Sequence, residues 1–195
     1  MSTKRLNVVI ASTRPGRIGG QVGEWFAGVA RVYTDFDVHL VDLAEIRLPM
    51  LDEPVPAVDA TEYQYAHTRR WSAITAAADA FVFVTPEYNR GYPASIKNAL
   101  DYLYAEWRDK PVAFVSYGMT SGGMRATAQL TEVVVGLGMV PVPSGVVVHL
   151  RETVDGDGVL VPTARMVRSA QEALDELTRI TRVLAAVRAV PEVVG

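Results

Sequence analysis

Residues 80–85 read AFVFVT, an unbroken run of apolar and β-branched residues. A run without alternation of apolar and polar residues predicts a strand that is buried on both faces, as in a parallel sheet covered by helices. Residues 6–11 (LNVVIA) and 112–116 (VAFVS) have the same character. These three segments predict the centre of a parallel sheet, and the rest of the chain is interpreted around them.

Segments of helical period alternate with these strands. Between residues 20 and 33, apolar side chains recur at close to helical spacing. Further helices are predicted at about 61–78, 94–104, 123–137 and 163–187, and further strands at 38–43 and 140–148. The last strand is interrupted by Pro141 and Pro143, the proline-containing stretch 44–60 predicts a loop, and residues 155–158 (DGDG) predict a turn.

Five strands alternating with five helices predict a doubly wound parallel sheet in three α/β/α layers. A chain of 195 residues suits one domain, here residues 1–195. In such sheets ligands bind beyond the carboxyl ends of the strands, near the point where the strand order reverses. The loops that follow the first, third and fourth strands are therefore the candidate site.

Composition excludes several classes of function. The formal net charge is −3, which provides no basic surface for nucleic acid. The absence of cysteine excludes disulfides and thiolate metal sites, and three scattered histidines predict no protein metal site. The first apolar run is too short for a signal peptide, and no run approaches the ~20 residues of a membrane span. We expect a cytoplasmic protein that does not enter membranes.

The loop after the first strand, residues 12–20, reads STRPGRIGG and leads directly into a helix. Backbone N–H groups and the dipole at a helix N-terminus favour an anion, and arginine is a bidentate donor to phosphate. The loop has neither the lysine of a P-loop nor the glycine spacing of a dinucleotide site, which favours a terminal phosphate over a pyrophosphate. A plain turn with solvated arginines is the alternative.

The loop after the third strand, residues 85–93, reads TPEYNRGYP. Pro86 keeps Thr85 extended, so that the chain leaves the sheet straight. The backbone groups of the loop and the Asn89 amide suit the pyrimidine edge of a flavin, and Tyr88 or Tyr92 could provide an apolar wall. The alternative is a proline- and glycine-containing loop with surface tyrosines.

The loop after the fourth strand, residues 116–125, reads SYGMTSGGMR. Three glycines allow the backbone to approach a flat ligand closely and leave its N–H groups accessible. A simple strand-to-helix connection would also account for this composition.

Together these segments resemble the NAD(P)H-dependent FMN reductases, a family that includes chromate, quinone and azo-dye reductases. The resemblance is carried by residues 12–17, 86–89 and 116–118 with 122–125, and covers about residues 5–150. Its most specific part is the Pro-Glu-Tyr-Asn segment 86–89, followed by IKNALD at 96–101. The resemblance implies a flavodoxin-like fold and bound FMN.

The resemblance also implies which residues hold FMN. The phosphate would be held by Ser12, Arg14 and Arg17, with Ile18 and Gly19 close by. The isoalloxazine ring would be contacted by Pro86, Glu87, Tyr88 and Asn89, and its other edge lined by Tyr117, Gly118, Ser121 and Gly122. Many relatives carry Ser and Asn where this chain has Arg17 and Gly19, so the chain departs from the family pattern inside the phosphate loop.

The implied activity is electron transfer from NADPH or NADH through FMN to a small acceptor such as a quinone, flavin, azo compound or metal oxyanion, with ping-pong kinetics. Because the cofactor carries the chemistry, no catalytic side chain is expected, and Glu87 is not assigned as a general base. Three alternatives remain: a flavodoxin-type electron carrier, a domain without flavin, and a reductase that supplies free reduced FMN to a monooxygenase.

The family resemblance further implies a homodimer or homotetramer. Tyr92, Tyr102, Tyr104 and Trp107 form an aromatic stripe around the third helix. Tyrosine and tryptophan suit interfaces because they combine an apolar body with a polar tip. The stripe is therefore a candidate subunit interface, with ordinary core and surface aromatics as the alternative.

Overall fold

The predicted alternation of strands and helices is present in the computed structural model, which describes residues 3–188. The strands are β1 (Arg5–Ile10), β2 (Asp37–Asp42), β3 (Ala80–Pro86), β4 (Pro111–Gly118), β5 (Val140–Pro141) and β6 (Val146–His149). The helices are α1 (Gly19–Tyr33), α2 (Leu43–Ile46), α3 (Ala66–Ala76), α4 (Ala94–Asp101), α5 (Met124–Gly136), α6 (Leu150–Thr153) and α7 (Ala164–Arg188). A 3₁₀ turn, Ala105–Trp107, follows α4.

The strands form one parallel sheet in the order β2-β1-β3-β4-β5. This is the flavodoxin-like arrangement, and it confirms the predicted fold class. At the centre of the sheet, Val9 of β1 lies between Val41 of β2 and Phe83 of β3. The strand order reverses between β1 and β3, so the loops that follow these two strands flank the switch point.

The fifth strand position is divided in two, as its prolines predicted. Val140–Pro141 pairs with the start of β4, and Val146–His149 pairs with the end of the same strand. Proline has no N–H to donate to a sheet ladder, and Pro143 lies in the break. The second segment brings Val147 and His149 beside the loop that follows β4.

Alternate residues of the central strands enter two cores on opposite faces of the sheet. One core contains Val8 and Val82 and packs against Phe26 of α1 and Leu174 of α7. The other contains Val9 and packs against residues of α3, α4 and α5. Burial on both faces explains why the central strands show no polar alternation. No helix of residues 3–188 has the length and apolar character needed to cross a bilayer.

The structure departs from the predicted helices at α2 and α3, where side-chain hydrogen bonds to backbone N–H groups set the element boundaries. Helix α3 begins at Ala66 rather than near residue 61. The Glu53 carboxylate accepts hydrogen bonds from the Gln64 and Tyr65 N–H groups, both at 3.0 Å, and holds that stretch as a loop. Part of the predicted loop 44–60 forms the short α2, whose start is capped by Asp42 Oδ1 at 2.9 Å from Ala44 N.

Only part of the predicted aromatic stripe lies on the surface. Tyr102 and Trp107 are completely buried. The Trp107 ring packs 5.2 Å from that of Phe81, and Tyr102 Oη donates to Asp52 Oδ1 at 2.8 Å. These two side chains belong to the core beneath α4, so they cannot form a subunit interface; of the four residues, Tyr104 is exposed.

Candidate functional site

Two side-chain contacts join the three predicted loops at the carboxyl edge of the sheet. Ser12 Oγ, after β1, lies 2.6 Å from Tyr88 Oη, after β3. The Glu87 carboxylate, also after β3, accepts hydrogen bonds from the Ser121 hydroxyl and from Arg125 at the start of α5. The loops after β1, β3 and β4 therefore meet and are held in fixed relation to one another.

A tight turn at residues 14–17 shapes the first loop. Arg17 N donates to Arg14 O at 3.3 Å, and Gly16 has φ +68°. Proline at the second position and glycine at the third are typical of a type II turn. Arg14 is exposed at the start of this turn, and its guanidinium forms no hydrogen bond or ion pair with residues 3–188.

The first turn of α1 follows directly, and no side chain caps it. The leading N–H groups of a helix have no acceptor within the helix, so this terminus can bind an anion. Ile18 occupies the N-cap position and Gly19 is the first helical residue. The predicted phosphate-binding residues Ser12, Arg14, Ile18 and Gly19 are thus brought to one end of α1.

Arg17 has a partner within the protein. Its guanidinium forms an ion pair with Asp42 at the end of β2, while the other Asp42 oxygen caps α2. Arg17 Nε is buried without a hydrogen-bond partner among the described residues. Arg17 therefore joins the first loop to the start of α2, and its role toward phosphate stays a prediction.

The second loop is a hairpin turn with an unusual backbone. Tyr88 N donates to Gly91 O at 2.9 Å, and Gly91 N donates to Tyr88 O at 3.0 Å. The two residues between them, Asn89 and Arg90, have φ +50° and +72°. Positive φ at both positions defines a type I′ turn, which asparagine adopts readily and arginine does not. The turn fixes the backbone that was predicted to contact the flavin ring.

Glu87 is an ionised structural link rather than a free base. Burial acts to raise the pKa of its carboxyl, but hydrogen bonds from Ser121 and Arg125 outweigh burial and lower that pKa. Arg125 Nη1 donates to Glu87 Oε1 at 2.8 Å. The carboxylate thus ties the loop after β3 to the loop after β4 and to α5, and the absence of a general-base role for Glu87 stays a prediction.

Glycines are required in the third loop. Gly122 and Gly123 have φ +61° and +91°. A Cβ on Gly122 would lie 2.3 Å from Val147 Cγ1, and a Cβ on Gly123 would lie 2.7 Å from Ser116 Cβ. Ser116 Oγ donates to Gly122 O at 2.8 Å and closes the loop. The predicted residues Gly118, Ser121 and Gly122 lie together here.

Tyr117 is the predicted site residue whose side chain points elsewhere. Its backbone stays at the site, because Tyr117 O accepts from Glu87 N at 3.1 Å. Its ring enters the core on the α1 face of the sheet, and its hydroxyl lies beneath Gly19. The side chain is therefore placed behind the phosphate loop and not along the edge of the third loop.

The donor set suits a phosphate attached to a flat heterocycle. At one end lie the Arg14 guanidinium, the uncapped start of α1 and the hydroxyls of Ser12 and Tyr88. At the other end lie the backbone groups of residues 87–91 and 118–123, beside the exposed side chains of Met119 and Met124. At the first end, Arg17 Nε and Tyr117 Oη are buried without a hydrogen-bond partner among the described residues.

Two contacts of the site were missed from the sequence. Asp42 pairs with Arg17 although 25 residues separate them, and Arg125 pairs with Glu87 across 38 residues. The available signal for Asp42 was its position at the end of the strand next to β1. An acidic residue there lies beside the first loop in any sheet with the order 2-1-3.

Comparison with known proteins shows which family has a similar sequence. A sequence model of the NADPH-dependent FMN reductase family matches residues 5–152. An NAD(P)H-dependent FMN reductase from Schizosaccharomyces pombe is 44% identical over 122 residues, 62% of this chain and 61% of that protein. One from Saccharomyces cerevisiae is 39% identical over 145 residues, 69% of this chain and 75% of that protein. The chain thus spans less than two thirds of the S. pombe relative.

The fold comparison agrees. The flavoenzyme NAD(P)H:(acceptor) oxidoreductase FerB from Paracoccus denitrificans superposes with a TM-score of 0.73 at 22% identity, over 93% of this chain and 98% of that one. At this level of identity the likeness is one of fold.

Proposed function

This chain belongs to the NADPH-dependent FMN reductase family, and from that premise we propose that it binds FMN and passes electrons from NADPH or NADH to a small acceptor. The observation that supports this most is the union of three loops at one sheet edge, through the Ser12–Tyr88 and Glu87–Ser121–Arg125 contacts. FMN, when bound, supplies the hydride-accepting chemistry.

The protein binds and orients the cofactor. Arg14 and the first N–H groups of α1 hold the phosphate. The Arg14 guanidinium is positively charged, and the N-terminus of the helix carries a partial positive charge. Pro86, Glu87, Tyr88 and Asn89 hold the ring through the backbone that the type I′ turn fixes. Gly118, Ser121 and Gly122 leave room for the backbone to approach the ring's edge.

The nicotinamide cofactor that donates electrons and the acceptor that receives them use one open surface, which is bordered by the exposed side chains of Met119 and Met124. An apolar border suits flat, weakly polar acceptors such as quinones, flavins and azo compounds. Because both substrates need the same surface, they bind in turn, and ping-pong kinetics are expected.

We also propose that the protein forms a homodimer or a homotetramer. The support is a set of exposed apolar side chains in the loop before α3, namely Met50, Leu51, Val55 and Val58. Asn98 of α4 fixes this loop, since its Nδ2 donates to Pro49 O at 2.7 Å and its Oδ1 accepts from Leu51 N at 2.9 Å. An ordered apolar surface of this kind is typical of interfaces.

The replacement Arg14→Ala tests the phosphate assignment. We expect the Kd for FMN to rise about 10-fold or more, because a charge-assisted contact to phosphate is lost. The melting temperature of the apo protein should stay unchanged, since the Arg14 side chain has no partner among the described residues. Flavin fluorescence titration measures the affinity, and Arg31→Ala, at the opposite end of α1, is the matched control.

Undiminished FMN affinity in the Arg14→Ala variant would remove the phosphate assignment. Wild-type protein that cannot take up FMN would remove the proposed function. Anaerobic reduction of the bound flavin by NADPH or NADH, followed by reoxidation with a panel of acceptors, separates a reductase from an electron carrier, because a carrier needs a separate reductase.

A further inference from the structure

Tyr117 carries a hydroxyl group that the protein buries without a hydrogen-bond partner. The residue is 3% exposed, and its Oη lies near the Ser12 hydroxyl but forms no hydrogen bond of good geometry within the part of the chain that the structure describes. Buried polar groups in proteins are nearly always hydrogen-bonded, because an unpaired one loses its contact with water and gains nothing in return. An orphaned phenol at the end of a central strand therefore requires an explanation.

The hydroxyl lies directly behind the first turn of α1. A Cβ at Gly19 would come within 2.5 Å of Tyr117 Oη and 3.3 Å of its Cζ. Any residue larger than glycine at the start of α1 would thus occupy the space that the hydroxyl now fills. The phenol reaches the helix terminus that no side chain caps.

The electrostatic surroundings keep this phenol protonated. Burial is the largest cause that raises the pKa of Tyr117, and the neighbouring Tyr88 phenol adds to it. The nearby Ser12 hydroxyl, through a hydrogen-bonding interaction, and the charges of Arg17 and Arg14 lower the pKa of Tyr117 without overcoming the rise. The O–H group is thus a hydrogen-bond donor at any physiological pH, and its neighbours are residues of the first loop.

We propose that the Tyr117 hydroxyl donates a hydrogen bond to the phosphate group of bound FMN. The proposal rests on the proposed function and gives Tyr117 a role at the phosphate instead of at the edge of the isoalloxazine ring. It also accounts for Gly19, whose lack of a side chain leaves the space that the hydroxyl occupies. Because the Arg17 guanidinium is already paired with Asp42, the Tyr117 hydroxyl provides a hydrogen-bond donor to the phosphate in its place.

The replacement Tyr117→Phe removes one oxygen atom and keeps the ring in the core. We expect the Kd for FMN to rise about 10-fold, because a hydrogen bond to a charged group is lost, and the Kd for riboflavin, which has no phosphate, to stay the same. The melting temperature of the apo protein should stay unchanged or rise, because an unpartnered buried polar group is removed.

Fluorescence titration with both flavins gives the affinities, and differential scanning fluorimetry gives the melting temperatures. Tyr33→Phe is the matched control: its hydroxyl donates to Asp175 at the far end of α1, so both affinities should be unaffected. Equal weakening of FMN and riboflavin, unchanged FMN affinity, or a lower apo melting temperature in Tyr117→Phe would each overturn the proposal. Wild-type protein that binds neither flavin would overturn the proposed function as well.

Discussion

Gly122 shows how strictly the backbone dictates the residue at the edge of the sheet. Its φ of +61° lies in the left-handed region, which L side chains rarely adopt. A Cβ there would also overlap Val147 Cγ1 of β6 at 2.3 Å. Both constraints act on the loop after β4, which contributes to the candidate site.

We predict that Gly122→Ala lowers the free energy of unfolding by about 2–4 kcal/mol, since it adds left-handed strain to a steric overlap. Gly28→Ala is the matched control, because Gly28 lies inside α1 with open space around its Cα. That replacement should raise stability by about 0.5–1 kcal/mol through helix propensity. Urea denaturation measures both, and equal effects of the two replacements would contradict the steric argument.

Arg90 shows which residue-scale features the sequence does not predict. Asparagine tolerates a positive φ, and Asn89 has φ +50°. Arg90 at φ +72° is unfavourable by about 1–2 kcal/mol and persists because tertiary bonds hold the turn, including Gln129 Nε2 to Arg90 O at 3.0 Å. Such strain depends on contacts with α5 that no local pattern contains.

At the scale of elements, Lys110 connects the end of α3 to the start of β4. Its ammonium donates to the carbonyl oxygens of Thr75 and Ala76 at 2.9 and 3.1 Å, where the helix has unpaired acceptors. The side chain is buried, and burial, aided by the charge of Arg188, lowers the pKa of Lys110 to about 8. The unfolded chain would hold this proton up to the ordinary lysine pKa of about 10.5.

We predict that the stability difference between the wild type and Lys110→Met depends on pH. Between pH 8 and 10 the folded wild type releases this proton while the unfolded chain keeps it, so raising the pH stabilises the wild type relative to the variant. The full shift corresponds to at most about 3 kcal/mol. Urea denaturation at pH 7, 8, 9 and 10 measures the difference, and parallel pH curves would show that Lys110 has an ordinary pKa.

Element boundaries were predictable where the signal is local. The first segment of the fifth strand position ends at Pro141, and Pro143 lies in the break before the second segment, as the sequence predicted. The start of α3 was not predictable, because it depends on Glu53, which accepts hydrogen bonds from residues 64 and 65. The convergence of the three loops was predictable, because the carboxyl ends of parallel strands lie at the same edge of a sheet. The Arg17–Asp42 pair was not, because it depends on the conformations of the two side chains.

For the molecule as a whole, α7 lies outside the segment that matches the family, which ends at residue 152. The helix nevertheless forms much of the cover on one face of the sheet. Its residues Met166, Ala170, Leu174 and Leu177 are buried in the core that also contains Phe26 of α1. The amphipathic pattern predicted this helix, and the structure shows that it packs beside α1.

We predict that Leu174→Ala destabilises the domain by about 2–5 kcal/mol, because it leaves a cavity in the core between α7 and the sheet. Val183→Ala is the matched control on the same helix, since Val183 is 57% exposed and its truncation should change stability by less than about 0.5 kcal/mol.

Urea denaturation should be followed by tryptophan fluorescence and by release of bound FMN. If residues 1–195 form one domain, both signals of Leu174→Ala shift together, because the core under α7 and the loops of the site belong to one sheet. An early partial loss of tryptophan signal, from Trp25 beside the core that α7 covers, with FMN retained would instead show that α7 is a peripheral element. Equal effects of the two replacements would contradict its role in the core.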